Sequence, residues 1–330
     1  MENVKDISVV MCTWNGARYL SEQMDSILAQ SYPVEEIVIQ DDGTTDGTWE
    51  LLETYARKSP LVRIFRNESL HGVNGNFFSA MRRARSEYIA ISDQDDIWEK
   101  DKLQIQAAAI GKAAMCSGFS VPFSNDGYPV QVDMRIPNTH ILRQMYLSEL
   151  PGHSMLFRRE LLDFLPEGEK HERFYDWQLV TVAAAQESII FVPRTLVHFR
   201  RYANAATATL PVANKLVSGG ALQYVWFSLI HHKALQKEVR ARFAGIRPFL
   251  AGLPFQTVAL KEACKLTELE IGQGPTIALK RIVFFVRHSC HLFHTEEKRP
   301  LIRLLRSLFF NWSCGYYYRS HLKTQIPKEQ

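Results

Sequence analysis

The chain is poor in paired cysteine. Its five cysteines, Cys12, Cys116, Cys264, Cys290 and Cys314, form no Cys-x-x-Cys pair and no metal-ligand spacing. That excludes a disulfide framework and a zinc module of the usual spacing, and it suits a reducing cytosol. No apolar run approaches the roughly 18 to 20 residues needed to span a bilayer. The start, Met1 to Met11, lacks the basic region and long apolar stretch of a signal peptide. The expected location is therefore the cytoplasm. Internal repeats and low-complexity segments are also missing, which removes solenoids and disordered tracts. What remains is ordinary globular composition, 46% hydrophobic and 22% charged, in 330 residues. Such a length holds one large domain, or a domain with an appendage.

The net charge of +4 conceals an asymmetry: residues 231–330 hold 17 Lys and Arg against 7 Asp and Glu, leaving 22 against 28 for the rest. A basic tail on an acidic domain implies an anionic partner, a membrane surface or nucleic acid. No nucleic-acid fold signature accompanies the tail, so nucleic acid is set aside.

Apolar runs and helical spacing alternate through the first part of the chain. Ile7–Met11, Glu36–Gln40, Leu61–Phe65 and Tyr88–Ile91 read as buried strands. Helices are predicted over Ala17–Gln30, Trp49–Arg57, Asn76–Arg85 and Glu99–Lys112. This alternation argues for an α/β fold, with a mostly parallel sheet flanked by helices. Further on, Ala113–Pro122 is a strand candidate, Gly152–Phe157 a short strand leading into a helix over Arg158–Phe164, and Phe174–Ala185 an apolar helix. Ile189–Val192 and Leu196–Phe199 are short strand candidates, and helix with interleaved basic residues is expected beyond about Thr209. The expected division is a domain over 1–208 and a basic, mainly helical extension over 209–330.

The most informative stretch is Ile91-Ser92-Asp93-Gln94-Asp95-Asp96-Ile97-Trp98. Three carboxylates in four positions repel one another and must be hydrated, paired or partly protonated. At the carboxyl end of a buried strand their natural partner is a hard divalent metal that shares its other positions with water and phosphate oxygens. Two more polar loops, Thr13–Gly16 and Asp41–Asp46, fall at the same ends of their strands, which is where ligands bind in open α/β sheets. Asp46 is placed to cap the helix that follows it.

Those three loops carry a family resemblance. Ser8–Leu20, Gln30–Tyr32, Ile37–Thr48 and Ser92–Trp98 with Asp101 and Lys102 closely resemble the family 2 glycosyltransferases. Their acidic stretch is similar to the rhamnosyltransferase-like bacterial branch that makes O-antigen and capsule polysaccharides. The resemblance covers about residues 6 to 205. It implies the GT-A fold and inverting transfer from a nucleoside-diphosphate sugar, UDP- or dTDP-linked, to a saccharide or lipid-linked saccharide acceptor. It also implies a divalent cofactor, Mg²⁺ or Mn²⁺. By the same resemblance Thr13, Asn15, one of Asp41 or Asp42, and Asp93 hold the nucleotide. Asp95 is the direct metal ligand, with Asp93 and Asp96 beside it, and Asp176 in Phe174–Trp177 is the general base. Tyr175 and Tyr202 stand where the family often has histidine, and Arg200 and Arg201 are then candidates for pairing with the diphosphate. His153 and Trp177 are candidates for the acceptor side.

The competing readings are a Mg²⁺ phosphohydrolase and a non-catalytic nucleotide-sugar-binding subunit. The first lacks the compact Asp-x-Asp-x-Thr turn it would need, and the second rests on the altered Phe199–Ala203 segment alone. The aromatic and basic residues of the extension (Phe284, Phe285, Arg287, Phe293, Phe309, Phe310, Trp312, Tyr316, Tyr317, Tyr318) read either as a helical appendage burying one face or as a peripheral membrane surface.

Overall fold

The computed structural model describes residues 6–68, 70–165, 174–202, 226–295 and 297–314. The chain divides into two compact units. The first comprises Met1–Met134, Leu150–Ala183 and Ser188–Tyr202, and the second Arg135–Glu149, Ala184–Glu187 and Ala203–Gln330. The expected division at 208/209 lies outside the described residues.

The first unit is built on one eight-stranded sheet, ordered β3-β2-β1-β4-β7-β6-β8-β5. Its strands are β1 (Ile7–Thr13), β2 (Glu36–Asp41), β3 (Val62–Arg66), β4 (Tyr88–Ser92), β5 (Ile97–Trp98), β6 (Met115–Phe123), β7 (Leu156–Arg158) and β8 (Ile189–Arg200). β3, β2, β1 and β4 form a parallel block, and β7 then runs antiparallel to β4. The sheet is therefore mixed, with its parallel half where alternating strands and helices placed it. β1, β2 and β4 are buried on both faces, and their unbroken apolar runs reflect that.

Helices α1 (Leu20–Leu28), α2 (Thr48–Lys58), α3 (Val73–Arg82) and α4 (Lys102–Ile110) flank the sheet. α4 begins later than its periodicity predicts because the preceding backbone serves the sheet. Ile97 and Trp98 pair with His198 and Val197, and Glu99 donates its N–H to Leu196 at 3.0 Å. The helix expected over Arg158–Phe164 is a 3₁₀ helix, Arg159–Phe164. Leu165 precedes Pro166 and takes an extended conformation (φ −86°, ψ 141°), as residues before proline do. The two short strands expected over 189–199 are one strand, β8. Its pairing with β6 slips at Gly118–Phe119, where Val192 and Thr195 face consecutive residues and Pro193–Arg194 bulges outward. A bulge tolerates the proline because no ladder hydrogen bond is demanded of it.

Within the second unit, α5 (Ile141–Gln144), α7 (His232–Gly252), α8 (Val258–Ile271), α9 (Pro275–Arg287), α10 (Ser289–Leu292) and α11 (Pro300–Ser313) are described; α6 (Tyr175–Ala185) precedes β8 in the chain. Leu235, Val239, Phe243, Ile246, Leu250, Leu260, Ala263, Phe285, Phe293 and Phe310 are buried. Thus much of the aromatic content read as an appendage face is core. Phe309 is exposed, as are Leu301, Leu304, Leu305 and Leu308 of the same helix. Tyr316, Tyr317 and Tyr318 lie outside the described residues. No described helix is long and apolar enough to cross a membrane.

Candidate functional site

Three strand ends make the floor of the site. The parallel register sets Thr13 opposite Asp41, and the Thr13 hydroxyl donates to Asp41 Oδ2 at 2.9 Å. Asp41 is fully buried. Its Oδ1 accepts from the N–H groups of Gly43 and Thr44 at 3.2 and 3.0 Å and from Arg66 at 2.7 Å. Asp42 points the other way: its carboxylate accepts from the Asn67 amide at 2.6 Å and the Gly72 N–H at 2.7 Å, and lies 2.9 Å from His71 Nδ1. Asn15 adopts φ 48°, a left-handed conformation asparagine tolerates. From there its Oδ1 accepts the Thr45 N–H at 2.8 Å. Asp46 Oδ1 accepts the Thr48 N–H and hydroxyl at 3.1 and 2.5 Å, but from one residue before the N-cap, which is Gly47 and not Asp46 as the sequence predicts. The neighbouring Gly47, with φ 87°, is the residue that makes the turn into the helix.

The acidic turn continues from β4. Asp93 Oδ2 lies 2.9 Å from His153 Nδ1, and the opposite nitrogen of that ring lies 2.7 Å from the Ser120 hydroxyl. Asp96 is buried; its Oδ1 accepts the Arg200 N–H at 3.1 Å, while Oδ2 approaches His153 Nδ1 only to 3.4 Å and has no hydrogen-bond partner. Asp95 takes a different direction, its carboxylate accepting the Tyr202 hydroxyl at 2.7 Å. Arg200 encloses the turn from behind. Its Nε donates to the Asp95 carbonyl at 2.8 Å, Nη2 meets Glu22 at 2.9 Å, and the guanidinium lies over the rings of Tyr19 and Phe123. Arg201 lies over the rings of Tyr128 and Phe199.

Crowding and burial set the charge states here. Burial raises Asp96, with His153 opposing and Asp93 adding to the rise; burial also raises Asp95, and Asp93 pushes the same way. Burial lowers His153, but Asp96 and Asp93 outweigh it and hold the imidazole above its ordinary value. Asp93, Asp96 and His153 bring one donor atom each within 4.8 Å of one another. With the buried, unpartnered Asp96 Oδ2 among them, these two carboxylates and one imidazole fit a divalent ion.

Asp176 sits in the first turn of α6, where Oδ1 accepts the Trp177 N–H at 2.7 Å. The residue keeps some solvent contact, yet its carboxyl is enclosed enough to be pushed up to about 6. The Trp177 N–H opposes that rise, and Asp93 reinforces it. Tyr175 anchors the segment. Its N–H donates to Asn74 Oδ1 at 2.9 Å and its ring stacks on Phe77 at 4.2 Å. Its hydroxyl would lie 2.4 Å from a Cβ placed on Gly152, so only glycine fits beneath it. Trp177 is 6% exposed.

Of the residues expected from the sequence, Asp93, Asp96 and His153 meet directly, and Asp176 lies within their electrostatic reach. Asp95 and Arg200 are engaged by Tyr202 and Glu22. Gln94 was missed: its side-chain amide binds the backbone of Trp14 in both directions. The only signal for it was its position between two aspartates.

A mixed sheet with a parallel block, flanked by helices and ending in an acidic turn after β4, defines a GT-A type of glycosyltransferase fold. The family model described as glycosyl transferase family 2 matches residues 8–165, and this part of the chain is a domain of that family. Among curated proteins, the chain is 30% identical over 136 residues to the putative teichuronic acid biosynthesis glycosyltransferase TuaG of Bacillus subtilis, covering 40% of this chain and 54% of that protein. It spans between 30% and 59% of the length of the first curated relatives it matches. Among solved structures, S. aureus TarS 1-349 in complex with UDP-GlcNAc superposes with a TM-score of 0.56 at 17% identity, over 96% of this chain and 92% of that one. The Pyrobaculum calidifontis mannosyltransferase PcManGT, in complex with GDP-Man and Mn²⁺, gives 0.52 at 18% identity, over 99% and 89%. At these identities the likeness establishes the fold.

Proposed function

We propose that this chain transfers a glycosyl group, with inversion, from a nucleoside-diphosphate sugar to a saccharide or lipid-linked saccharide in cell-surface polysaccharide synthesis. One observation carries the reading: inside a family 2 domain, Asp93, Asp96 and His153 converge at the end of β4 with the Asp176 carboxylate in the same electrostatic field. The similar proteins bound to UDP-GlcNAc and to GDP-Man with Mn²⁺ support a nucleotide-sugar donor.

In this reading Thr13, Asn15, Asp41 or Asp42, and Asp93 face the base and ribose, where a carboxylate accepts hydrogen bonds without repelling phosphate. Asp95, Asp93 and Asp96 would hold the divalent ion, with His153 as a further donor beside Asp93 and Asp96. When bound, that ion offsets the charge developing on the leaving diphosphate. Arg200 and Arg201 add positive charge at the same end, Arg200 while bracing the turn. Asp176 accepts the proton of the acceptor hydroxyl as its oxygen bonds to C1. The C1–O bond to the diphosphate breaks, and its electron pair leaves with the nucleotide. One displacement inverts the anomeric centre. His153 and Trp177 line the acceptor side, Trp177 by packing beneath it.

Residues 1–208 form the catalytic domain in this reading, and the basic 209–330 region meets an anionic membrane. The exposed Leu301, Leu304, Leu305, Leu308 and Phe309 with the nearby Arg303 and Arg306 support that contact. A panel of nucleotide-sugars with Mn²⁺ or Mg²⁺, assayed for transfer and for donor hydrolysis, tests the function. Turnover of at least one donor, lost in Asp176→Asn, is expected; full transfer by Asp176→Asn overturns the base assignment. Flotation with anionic liposomes tests the membrane contact, and absence of binding ends that part.

A further inference from the structure

We propose that the helical unit holds a transition-metal site formed by His140, Glu262, His288 and His291. The site is separate from the acidic turn of β4 and independent of the proposed activity. Three segments distant in sequence bring the four residues together: His140 precedes α5, Glu262 lies on α8, and His288 and His291 bracket the start of α10.

All three imidazoles face one carboxylate oxygen. Glu262 Oε2 lies 3.4 Å from His288 Nδ1, 3.9 Å from His291 Nδ1 and 3.9 Å from His140 Nε2. The donor atoms of His140, Glu262 and His291 all fall within 4.8 Å of one another. The two longer separations exceed a hydrogen bond. They approach what two ligands sharing one tetrahedral ion show, about 3.3 Å for metal–ligand bonds of about 2.0 Å. Glu262 Oε2 and His291 Nδ1 are buried with no hydrogen-bond partner. Buried polar atoms of this kind need an explanation, and a shared cation supplies one for both. The rings of His140 and His291 stack at 3.8 Å and 15°, which holds their nitrogens side by side.

The donor set selects the ion. Three imidazoles and one carboxylate suit Zn²⁺ rather than Mg²⁺ or Ca²⁺, which prefer all-oxygen surroundings. Three donors lie within reach of one another, and His288, 3.4 Å from Glu262 Oε2, is the fourth that would close the coordination sphere, as in structural rather than catalytic zinc sites. Lys265 and Arg287 place positive charge within reach of His288, which disfavours a cation held by charge alone. Ligation through His140 Nε2 moves its ring proton to Nδ1 and gives up the long 3.3 Å bond that Nδ1 accepts from Leu142. In return, the ion fastens α8 to a junction already tied by Asn138, whose amide donates to the carbonyls of Cys290 and Phe293 at 2.9 and 2.8 Å.

The test is titration of the full chain with Co²⁺ after chelator treatment. Expected are the intense visible bands of tetrahedral Co²⁺, saturating at a single equivalent and bleached by Zn²⁺. The bands disappear in Glu262→Gln and in the His288→Asn, His291→Asn double variant. They persist in Asp93→Asn, which removes a donor from the other cluster. In the Asp93→Asn background, where the other cluster lacks a donor, Zn²⁺ raises the Tm, and adding Glu262→Gln removes that rise. The proposal is overturned if wild type shows no tetrahedral spectrum, if the bands survive loss of Glu262 or of both histidines, or if Asp93→Asn abolishes them. The wild-type spectrum decides even if a variant folds poorly.

Discussion

Gln94 grips the main chain of Trp14 from both sides. Its Oε1 accepts the Trp14 N–H at 2.9 Å and its Nε2 donates to the Trp14 carbonyl at 3.0 Å. The acidic turn and the β1 loop, eighty residues apart, are therefore one rigid ledge. Gly16 permits it, since a Cβ there would lie 2.2 Å from Gln94 Oε1. Gln94→Ala removes both bonds, each worth about 1 kcal/mol. The expected result is a several-fold higher KM for the donor with kcat less affected, because the loop proposed to meet the nucleotide is loosened while Asp176 is untouched. Steady-state kinetics on the two proteins check it; an unchanged KM would sink the idea.

As the proposed base, Asp176 must be unprotonated to accept a proton, and burial raises it to about 6. The rate should therefore climb as pH rises through that value and level off above it. Asp176→Asn removes the acceptor, and a loss of about 10² to 10⁴-fold in kcat is expected. Donor binding, read by thermal shift with a nucleoside diphosphate, should survive.

Lys102 is fully buried, its Nζ 3.6 Å from the centre of the Trp98 ring and without a hydrogen-bond partner. Burial lowers it to about 7. The unfolded chain keeps its proton up to about pH 10.4. Between those values the unfolded state holds more protons, so this residue's cost to stability shrinks as pH rises and is full below about 7. Lys102→Met should stabilise the protein by a few kcal/mol at pH 6, and by progressively less toward pH 10. Urea titrations at several pH values measure the gain; a gain that grows with pH contradicts the assignment.

Gly152→Ala drives a methyl group into the Tyr175 hydroxyl, 2.4 Å from where its Cβ must go, with two ring carbons at 3.0 Å. A lowered Tm and a lowered kcat are expected together, since Tyr175 sets the position of Asp176. Adding Tyr175→Phe should restore part of both, because the hydroxyl is the nearer obstacle and the ring carbons remain.

Local information went far along the first half of the chain. Strands buried on both faces announce themselves as unbroken apolar runs, and the loops after β1, β2 and β4 carried their polar residues at the ends where a parallel sheet gathers them. His153 was harder to place: it lies sixty residues from Asp93, and nothing in Gly152-His153-Ser154 says which carboxylate it will face. The sequence resemblance puts Asp95 first among the metal ligands, since spacing along a turn does not reveal which side chain turns toward Tyr202. The meeting of His140, Glu262, His288 and His291 depends wholly on how helices pack, and no periodicity encodes that. β8 was read as two pieces because proline and arginine interrupt its pattern, although a bulge absorbs both.

That bulge at Pro193–Arg194 also acts as a ruler. Beyond it, and after a second slip of one residue at Leu196, Arg200 pairs with Phe123 and its N–H meets Asp96. Each residue added or removed at 193–194 would advance or withdraw the end of β8 by about 3.3 Å, carrying Arg200 and Tyr202 off the acidic turn. Surface insertions are ordinarily tolerated, but here a change of length at an exposed bend is transmitted along a rigid rod to the far end. Family members that differ in length at this bend should carry a compensating change in β6 or in the segment after Arg200.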